Sequence, residues 1–249
     1  MTQPAALDVF TDGDAMRRLL QARLPGFADG SLRIDQVGVR QARRNTSLQR
    51  NPRRLTVCYE LQVQDLAQPR RGAQLLYGEV FRDPQAAASA LADADRPPLV
   101  TPAFGQPRVH LPELNLVLWA LPNDPGLPQL ATLLDPGRVA AHLPGPTDGP
   151  VEVDLLRYEP CQRATLRYRW HDAAGAPQCV YGKTFRDERA ATIDARFRYF
   201  WQHATDTPQA PLVAQPLGHD AATHCTWQAP APGRPLREVL QQPDAPVLL

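Results

Sequence analysis

Lysine is almost absent from this sequence of 249 residues. Arginine supplies all but one of the 27 basic residues, and Lys183 is the single lysine. The two side chains are not equivalent, because lysine carries a compact point charge on a flexible stem whereas arginine presents a planar fork of donors. The retention of one lysine in a chain that otherwise uses arginine predicts a specific role for Lys183.

Long apolar runs and a large excess of either charge are also missing. No stretch approaches the roughly 20 apolar residues that cross a membrane. The polar start of the chain, with Asp8, Asp12 and Asp14, lacks the pattern of a secretory signal peptide. The net charge of +1 gives no electrostatic case for nucleic acid. We therefore expect a cytoplasmic protein that binds neither membranes nor nucleic acids.

Cysteine is sparse, and its spacing is typical of neither a disulfide framework nor a metal site. The chain has four scattered cysteines with no CxxC pair, so we expect reduced thiols in a cytoplasm. His219, His224 and Cys225 also lack the spacing of zinc ligands. The sequence therefore predicts no metal site.

An internal repeat is the main positive feature of the chain. Residues 74–87 and 178–191 are 104 positions apart and identical at eight of 14 positions. Both copies contain a Tyr-Gly pair followed by Phe-Arg-Asp, but the first copy has Glu79 where the second has Lys183. Both are also followed by a tryptophan and, three residues later, a proline. Two copies of a unit of about 100 residues indicate a tandem duplication.

The hydrophobic pattern predicts the same order of elements in each copy. Residues 55–63 alternate with period two and 73–81 form the second arm of a hairpin; residues 164–170 and 178–185 repeat this arrangement. A helix capped by Asp83 or Asp187 follows, and then two more strands, which in the second copy are predicted around residues 212–217 and 224–228. The predicted fold class is α+β, with two tandem five-stranded antiparallel sheets, each with one packed helix. The predicted domains are residues 1–149 and 150–249.

The second copy resembles the small N-terminal lobe of kinase-like phosphotransferases. Residues 156–163, then 166–169, then Tyr181, Gly182 and Lys183 resemble the first three strands of the aminoglycoside phosphotransferase-like family. Residues 227–236 resemble the hinge and the start of the next helix. The resemblance covers residues 150–240, and residues 34–134 resemble a diverged copy.

The resemblance implies ATP as a cofactor and a nucleotide as a partner. In this family a lysine on the third strand reaches the phosphate oxygens, which is the position of Lys183. A turn between the first two strands bends over the phosphates, and here it contains Gln162 and Arg163. Gln228 lies in the hinge-like segment. Glu79 would repel phosphate, so the first copy is not expected to bind nucleotide at the equivalent place.

A helix acid usually holds the lysine in kinase-like lobes, and here the pattern departs from the family. Glu188 is very close in sequence and can serve the helix dipole alone, so Asp194 is the better-placed candidate. Phe197, Phe200 and Trp201 are predicted to be core residues rather than a platform on which a base stacks. Tyr181, Lys183 and Phe185 are two residues apart along one strand and should share a face.

The catalytic residues of such an enzyme are missing from the sequence. Phosphoryl transfer of this type requires a catalytic Asp, an Asn and a second Asp for Mg²⁺. No His-x-Asp-x₄-Asn pattern occurs, and all four asparagines precede Lys183. Two interpretations follow. The chain is the N-terminal portion of a phosphotransferase whose catalytic lobe, and with it Mg²⁺, lies elsewhere. Alternatively, it is a non-catalytic interaction module built from two such lobes, in which the first copy serves as a docking or dimerisation surface.

Overall fold

The computed structural model describes residues 7–44, 53–92, 98–147, 149–205 and 213–233. The chain divides into two units. The first comprises Met1–Leu134 together with the short segment Glu159–Gln162, and the second comprises Asp135–Tyr158 and Arg163–Leu249. Each unit contains a five-stranded sheet in which every neighbouring pair is antiparallel. The predicted α+β class with two tandem antiparallel sheets is confirmed.

The first sheet has the strand order β1-β2-β3-β5-β4. The pairs β1–β2 and β2–β3 are hairpins between long strands. Strand β5 lies between β3 and β4, so β4 is at the edge of the sheet. The bounds of these strands are Leu32–Arg44 (β1), Arg53–Asp65 (β2), Arg70–Phe81 (β3), Arg108–Leu111 (β4) and Leu116–Ala120 (β5).

Helices cover both faces of the first sheet. Helix α1 (Gly13–Arg23) begins at Asp12, whose carboxylate accepts from the amides of Asp14 and Ala15, which satisfies donors that have no partner within the helix. Helix α2 (Pro84–Leu91) begins at Asp83, as the sequence predicts, and Asp83 accepts from the amide of Ala86 at 2.8 Å. A short helix, α3 (Leu130–Leu133), follows the sheet.

The larger core of the first unit lies between the sheet and α1. Alternate residues of β2 point into it, and Tyr59 donates from its hydroxyl to the carbonyl of Phe10 at 2.8 Å. Full burial of each such side chain contributes about 1.5–3 kcal/mol. Among the fully buried members are Phe10, Met16, Leu20, Leu55, Val57, Tyr59 and Leu61.

The second sheet repeats the topology of the first, with the order β6-β7-β8-β10-β9. Its helices are the short α4 and the 16-residue α5, which lies between the third and fourth strands in sequence, as α2 does in the first unit. No helix in the described part of the chain is long and apolar enough to span a membrane. The bounds are Pro136–Val139 (α4), Glu152–Glu159 (β6), Arg163–His171 (β7), Pro177–Phe185 (β8), Ala190–Thr205 (α5), Pro216–Asp220 (β9) and Cys225–Gln228 (β10).

The shared glycine of the repeat is explained by close packing in both sheets. A Cβ at Gly78 would lie 2.8 Å from a methyl carbon of Val57, and one at Gly182 would lie 2.6 Å from the ring of Trp227. Real Cβ contacts are not this short, so the neighbouring side chains occupy the space that a larger residue would need. The Tyr-Gly pair therefore places the tyrosine side chain on one face of the strand, and on the other face the glycine leaves room for the side chain of a neighbouring strand.

The two tryptophans that follow the repeat are not equivalent in the structure. Trp119 pairs with Tyr77, whereas Trp227 pairs with Gly182. A shift of one residue in a strand moves the side chain to the opposite face. Trp119 therefore stacks on Tyr77, with ring centroids 5.7 Å apart, whereas Trp227 lies on the face opposite to Lys183.

Candidate functional site

A cavity of about 260 Å³ lies between α5 and one face of the second sheet. Tyr181 and Lys183 both line it, as expected from their spacing along β8. Its helix wall is formed by Ile193, Asp194 and Phe197. The remaining side chains that matter for its chemistry are Thr165, Thr226 and Gln228.

A row of polar side chains runs in register across four strands, and its members Thr165, Lys183 and Thr226 line the cavity. Thr165 on β7 is directly opposite Lys183, Lys183 is opposite Thr226 on β10, and Thr226 is opposite His219 on β9. Directly opposed residues of neighbouring strands project from the same face, with Cα atoms about 4.5–5.5 Å apart. The side chain of Lys183 therefore projects from the sheet between the side chains of Thr165 and Thr226.

Asp194 is the buried acid of this region. Its side chain is only 7% exposed, and its Oδ2 accepts from Arg198 Nε at 2.9 Å and contacts His219 Nδ1 at 3.2 Å. Its Oδ1 is buried and has no hydrogen-bonding partner within the described residues. Arg198 lies one helical turn after Asp194, a favourable spacing for an ion pair, and His219 connects this carboxylate to the edge strand β9.

Lys183 extends along its strand towards Phe185. Its Nζ lies 5.4 Å from the centroid of the Phe185 ring, within the range of a cation–π contact. Phe185 itself is buried, with 4% exposure. Lys183 is half-buried and lines the cavity.

The sequence-predicted site residues separate into two groups. Lys183, Asp194 and Gln228 line the one cavity. Gln162 and Arg163 are not among the residues that line it: Gln162 is exposed, and Arg163 begins β7 opposite Phe185. Part of the hinge-like segment, residues 234–236, lies outside the described residues.

The turn that contains Gln162 belongs to the first unit, and its backbone forms hydrogen bonds there. The amide of Cys161 donates to Asp124 Oδ2 at 2.8 Å. Gly126 packs so closely on this turn that a Cβ there would lie 2.6 Å from the Cα of Cys161. An amide that donates to a carboxylate is not available to a phosphate in this conformation.

The first unit has the same row in its sheet, with different chemistry. Thr56 is opposite Glu79, Glu79 is opposite Val117, and Val117 is opposite His110. Glu79 is 1% exposed and accepts from the hydroxyl of Tyr77 at 2.6 Å. The space over it is filled by a cluster that also contains Phe81, Ala87 and Trp119. The first unit therefore keeps this acid in its interior.

Two features of the second unit differ from the sequence-based predictions. Phe197 and Phe200 are 37% and 58% exposed, so the prediction that they are core residues is wrong; Trp201 is half-buried. Phe197 forms part of the cavity wall, and Phe200 lies three residues further along α5. The fourth strand of this sheet was predicted over residues 212–217, but β9 is Pro216–Asp220, and Leu212 lies outside the described residues.

Two polar residues of the site, His219 and Thr226, were not predicted from the sequence, because their positions depend on the bounds and register of β9 and β10. His219 faces Asp194 because it belongs to β9, and Thr226 becomes a neighbour of Lys183 only through the register of β10. Alternation along 164–170 and along 225–228 was the available signal for Thr165 and Thr226.

No protein-family model, curated protein or solved structure matches this chain.

Proposed function

We propose that the second unit binds the phosphate groups of ATP in the cavity at Lys183. In this proposal the chain is the N-terminal portion of an ATP-dependent small-molecule phosphotransferase of kinase-like fold. The observation that supports it is the contrast between the copies: Lys183 lines a cavity together with Asp194, whereas Glu79 is sealed in the interior. Helix α2, unlike α5, contains no acidic residue.

The residues around the cavity have suitable chemistry for a phosphate. Phosphoryl-transfer proteins work mainly by positioning and by neutralising phosphate charge, and a lysine ammonium is a point charge with three donors. Arg198 compensates the charge of Asp194 on Oδ2, so this carboxylate beside the cavity already has a cationic partner on its own helix. Lys183 and Gln228 are the residues that we expect to hold the nucleotide, and Asp194 supports them from the helix.

We expect weak binding and no turnover from this chain. A charge-assisted contact from Lys183 contributes about 1.5–3 kcal/mol, which is well below the roughly 8 kcal/mol of a micromolar complex. The sequence has no His-x-Asp-x₄-Asn pattern to supply a catalytic base and the ligands of Mg²⁺. ATP affinity in the millimolar range and no transfer to a hydroxylated acceptor are the expected results.

Mapping of ATP binding by ¹H–¹⁵N NMR tests this proposal. Saturable shifts should concentrate on β8, β10 and α5, and Lys183→Ala should remove them. Glu79→Gln is the matched control, because it changes the equivalent position in the first unit, keeps the side-chain shape and should leave the shifts intact. Shifts that persist in Lys183→Ala, or shifts confined to the first sheet, would contradict the proposal.

A second candidate function is a non-catalytic docking module for another protein. The observation that favours it is the exposure of Phe197, Tyr199 and Phe200 on α5, at 37%, 57% and 58%. Large apolar side chains grouped on a surface are typical of interaction sites. This candidate predicts that ATP produces no saturable shifts, whereas replacement of Phe200 by serine changes self-association or the capture of a partner.

We further propose a cytoplasmic location. All four cysteines are free thiols, as is usual in a reducing compartment. Burial is the main cause that raises the pKa of Cys58 to about 12, so this thiol remains protonated and unreactive at neutral pH. Detection of the protein in a membrane or secreted fraction would argue against this location.

A further inference from the structure

The two threonines that flank Lys183 form, with it, a continuous polar row across three strands. Thr165 and Thr226 are each directly opposite the lysine, and all three side chains line the cavity. All three are half-buried, so they are held in place but still accessible from the cavity. Threonine has few χ1 rotamers because it is branched at Cβ, which restricts the directions that each hydroxyl can take.

Among the described residues, the hydroxyl of Thr226 has only a weak partner. It donates to the carbonyl of Lys183 over 3.4 Å, which is longer than the usual 2.5–3.0 Å or so of a hydroxyl donor to an oxygen. A stronger acceptor can therefore replace this carbonyl at little cost. A phosphate oxygen is such an acceptor, because hydrogen bonds to charged groups are shorter and stronger than neutral ones.

The first unit provides an internal comparison at every position of the row. Its three residues are Thr56, Glu79 and Val117. Two of the three positions thus differ between the copies, and both differences favour an anion in the second unit: a cation replaces an acid, and a hydroxyl replaces a methyl group. Val117 is fully buried, so the first unit uses this position for packing.

We propose that Thr165, Lys183 and Thr226 together bind a single terminal phosphate group. This inference rests on the proposed phosphate site at Lys183 and adds two ligands to it. A tetrahedral phosphate presents several oxygens, so one group can accept from donors on three adjacent strands at once. The ligand class is a phosphate ester, and the binding residues come from strand side chains, since the amide of Cys161 in the neighbouring turn is engaged by Asp124.

Titration with inorganic phosphate, glucose 6-phosphate and ATP, followed by ¹H–¹⁵N NMR, tests the row. The variants Thr226→Val and Thr165→Val should each weaken the binding of all three ligands about tenfold, which corresponds to one hydrogen bond to a charged group. Thr226→Val reproduces the residue found at position 117. Thr226→Ser keeps the hydroxyl and should retain wild-type affinity, and Thr56→Val is the control in the first unit, with no expected change.

The outcomes separate this inference from the function on which it rests. If Lys183→Ala removes phosphate binding but both valine variants bind normally, the row is wrong and the lysine site stands. If Lys183→Ala binds phosphate as well as the wild type does, the proposed function itself fails. Similar affinities for the three ligands would show that the phosphate group alone is recognised, and tighter binding of ATP would show that the row serves a nucleotide; both results support the row.

Discussion

Tyr77 donates a hydrogen bond of 2.6 Å to Glu79 inside the first unit. Burial, followed by the neighbouring charge of Glu79, holds the pKa of Tyr77 well above its ordinary value, so the tyrosine remains a donor at any physiological pH. Glu79 thus has an interior partner in the repeat itself, two residues earlier on the same strand. The same spacing in the second unit, Tyr181 and Lys183, faces a cavity instead.

Removal of this tyrosine hydroxyl should destabilise the first unit. Tyr77→Phe leaves a buried carboxylate with one donor fewer, and we expect a loss of about 1–3 kcal/mol. Hydrogen exchange of the amides in β2 and β3 measures this locally. Tyr181→Phe is the matched control: its residue is half-buried, so the change should cost less than about 0.5 kcal/mol. Equal losses at both sites would contradict the interior role of Glu79.

Truncation of Phe185 and truncation of Phe200 should destabilise the protein to very different extents. Phe185 is 4% exposed and Phe200 is 58% exposed. We expect Phe185→Ala to cost about 3–5 kcal/mol, as is usual for a buried phenylalanine, and Phe200→Ala to cost no more than about 0.5 kcal/mol. Urea denaturation of the two variants gives the comparison. A large loss in Phe200→Ala would show that α5 buries this side.

The close approach of Gly182 to Trp227 predicts a strict requirement for glycine. Gly182→Ala forces the Trp227 ring or the strand to move, because the new Cβ would lie 2.6 Å from that ring. Overpacking of this kind costs about 1–3 kcal/mol. Gly38→Ala is the control, since its nearest neighbour, the carbonyl oxygen of Glu60, would be 3.8 Å away. Thermal unfolding should distinguish them; a Gly182→Ala protein of wild-type stability would refute the packing argument.

Asp220 should make the second unit sensitive to acid. Partial burial raises the pKa of Asp220. Hydrogen bonds from Thr223, the amide of Ala222 and His142 lower it by more than burial raises it, so the pKa is below its ordinary value of 3.8. A lowered pKa contributes stability that is present above the unfolded-state value and is lost as pH falls through the folded-state value.

The measurement is therefore the stability of the second unit between about pH 5 and pH 2. In the wild-type chain it should fall across this interval, and Asp220→Asn should reduce the part of the fall that belongs to this residue. His142 contacts Asp220 at 2.6 Å, so His142→Gln should weaken the acid sensitivity as well. Identical pH profiles for the wild-type chain and Asp220→Asn would contradict this account.

Much of the fold follows from the sequence because the repeat and the alternation agree. Period-two patterns located β2, β3, β7 and β8, and Asp83 begins α2 as its capping pattern predicts. The repeat then required the same strand order in both sheets. The cavity with Lys183 and Asp194 also follows from this order, since the helix after the third strand packs on the face where the lysine lies.

The remaining features depend on information that is not local. The equivalence of Trp119 and Trp227 fails because β5 and β10 differ by one residue in register, and register depends on packing across strands. Phe197 and Phe200 have the spacing of a buried stripe, but among the side chains of α5 whose burial is described, only those of the small residue Ala190 and the acid Asp194 are buried. A helix pattern predicts an apolar side and does not identify what that side contacts.

The single lysine provides the most direct measurement. Lysine labelled with ¹³C and ¹⁵N gives one set of lysine side-chain signals, from Lys183. On addition of ATP these signals should shift saturably, with a dissociation constant in the millimolar range, and the same concentrations of adenosine should leave them unchanged. If the Lys183 signals do not move while ATP shifts other parts of the chain, or if ATP has no effect at any concentration, the phosphate site at Lys183 is contradicted.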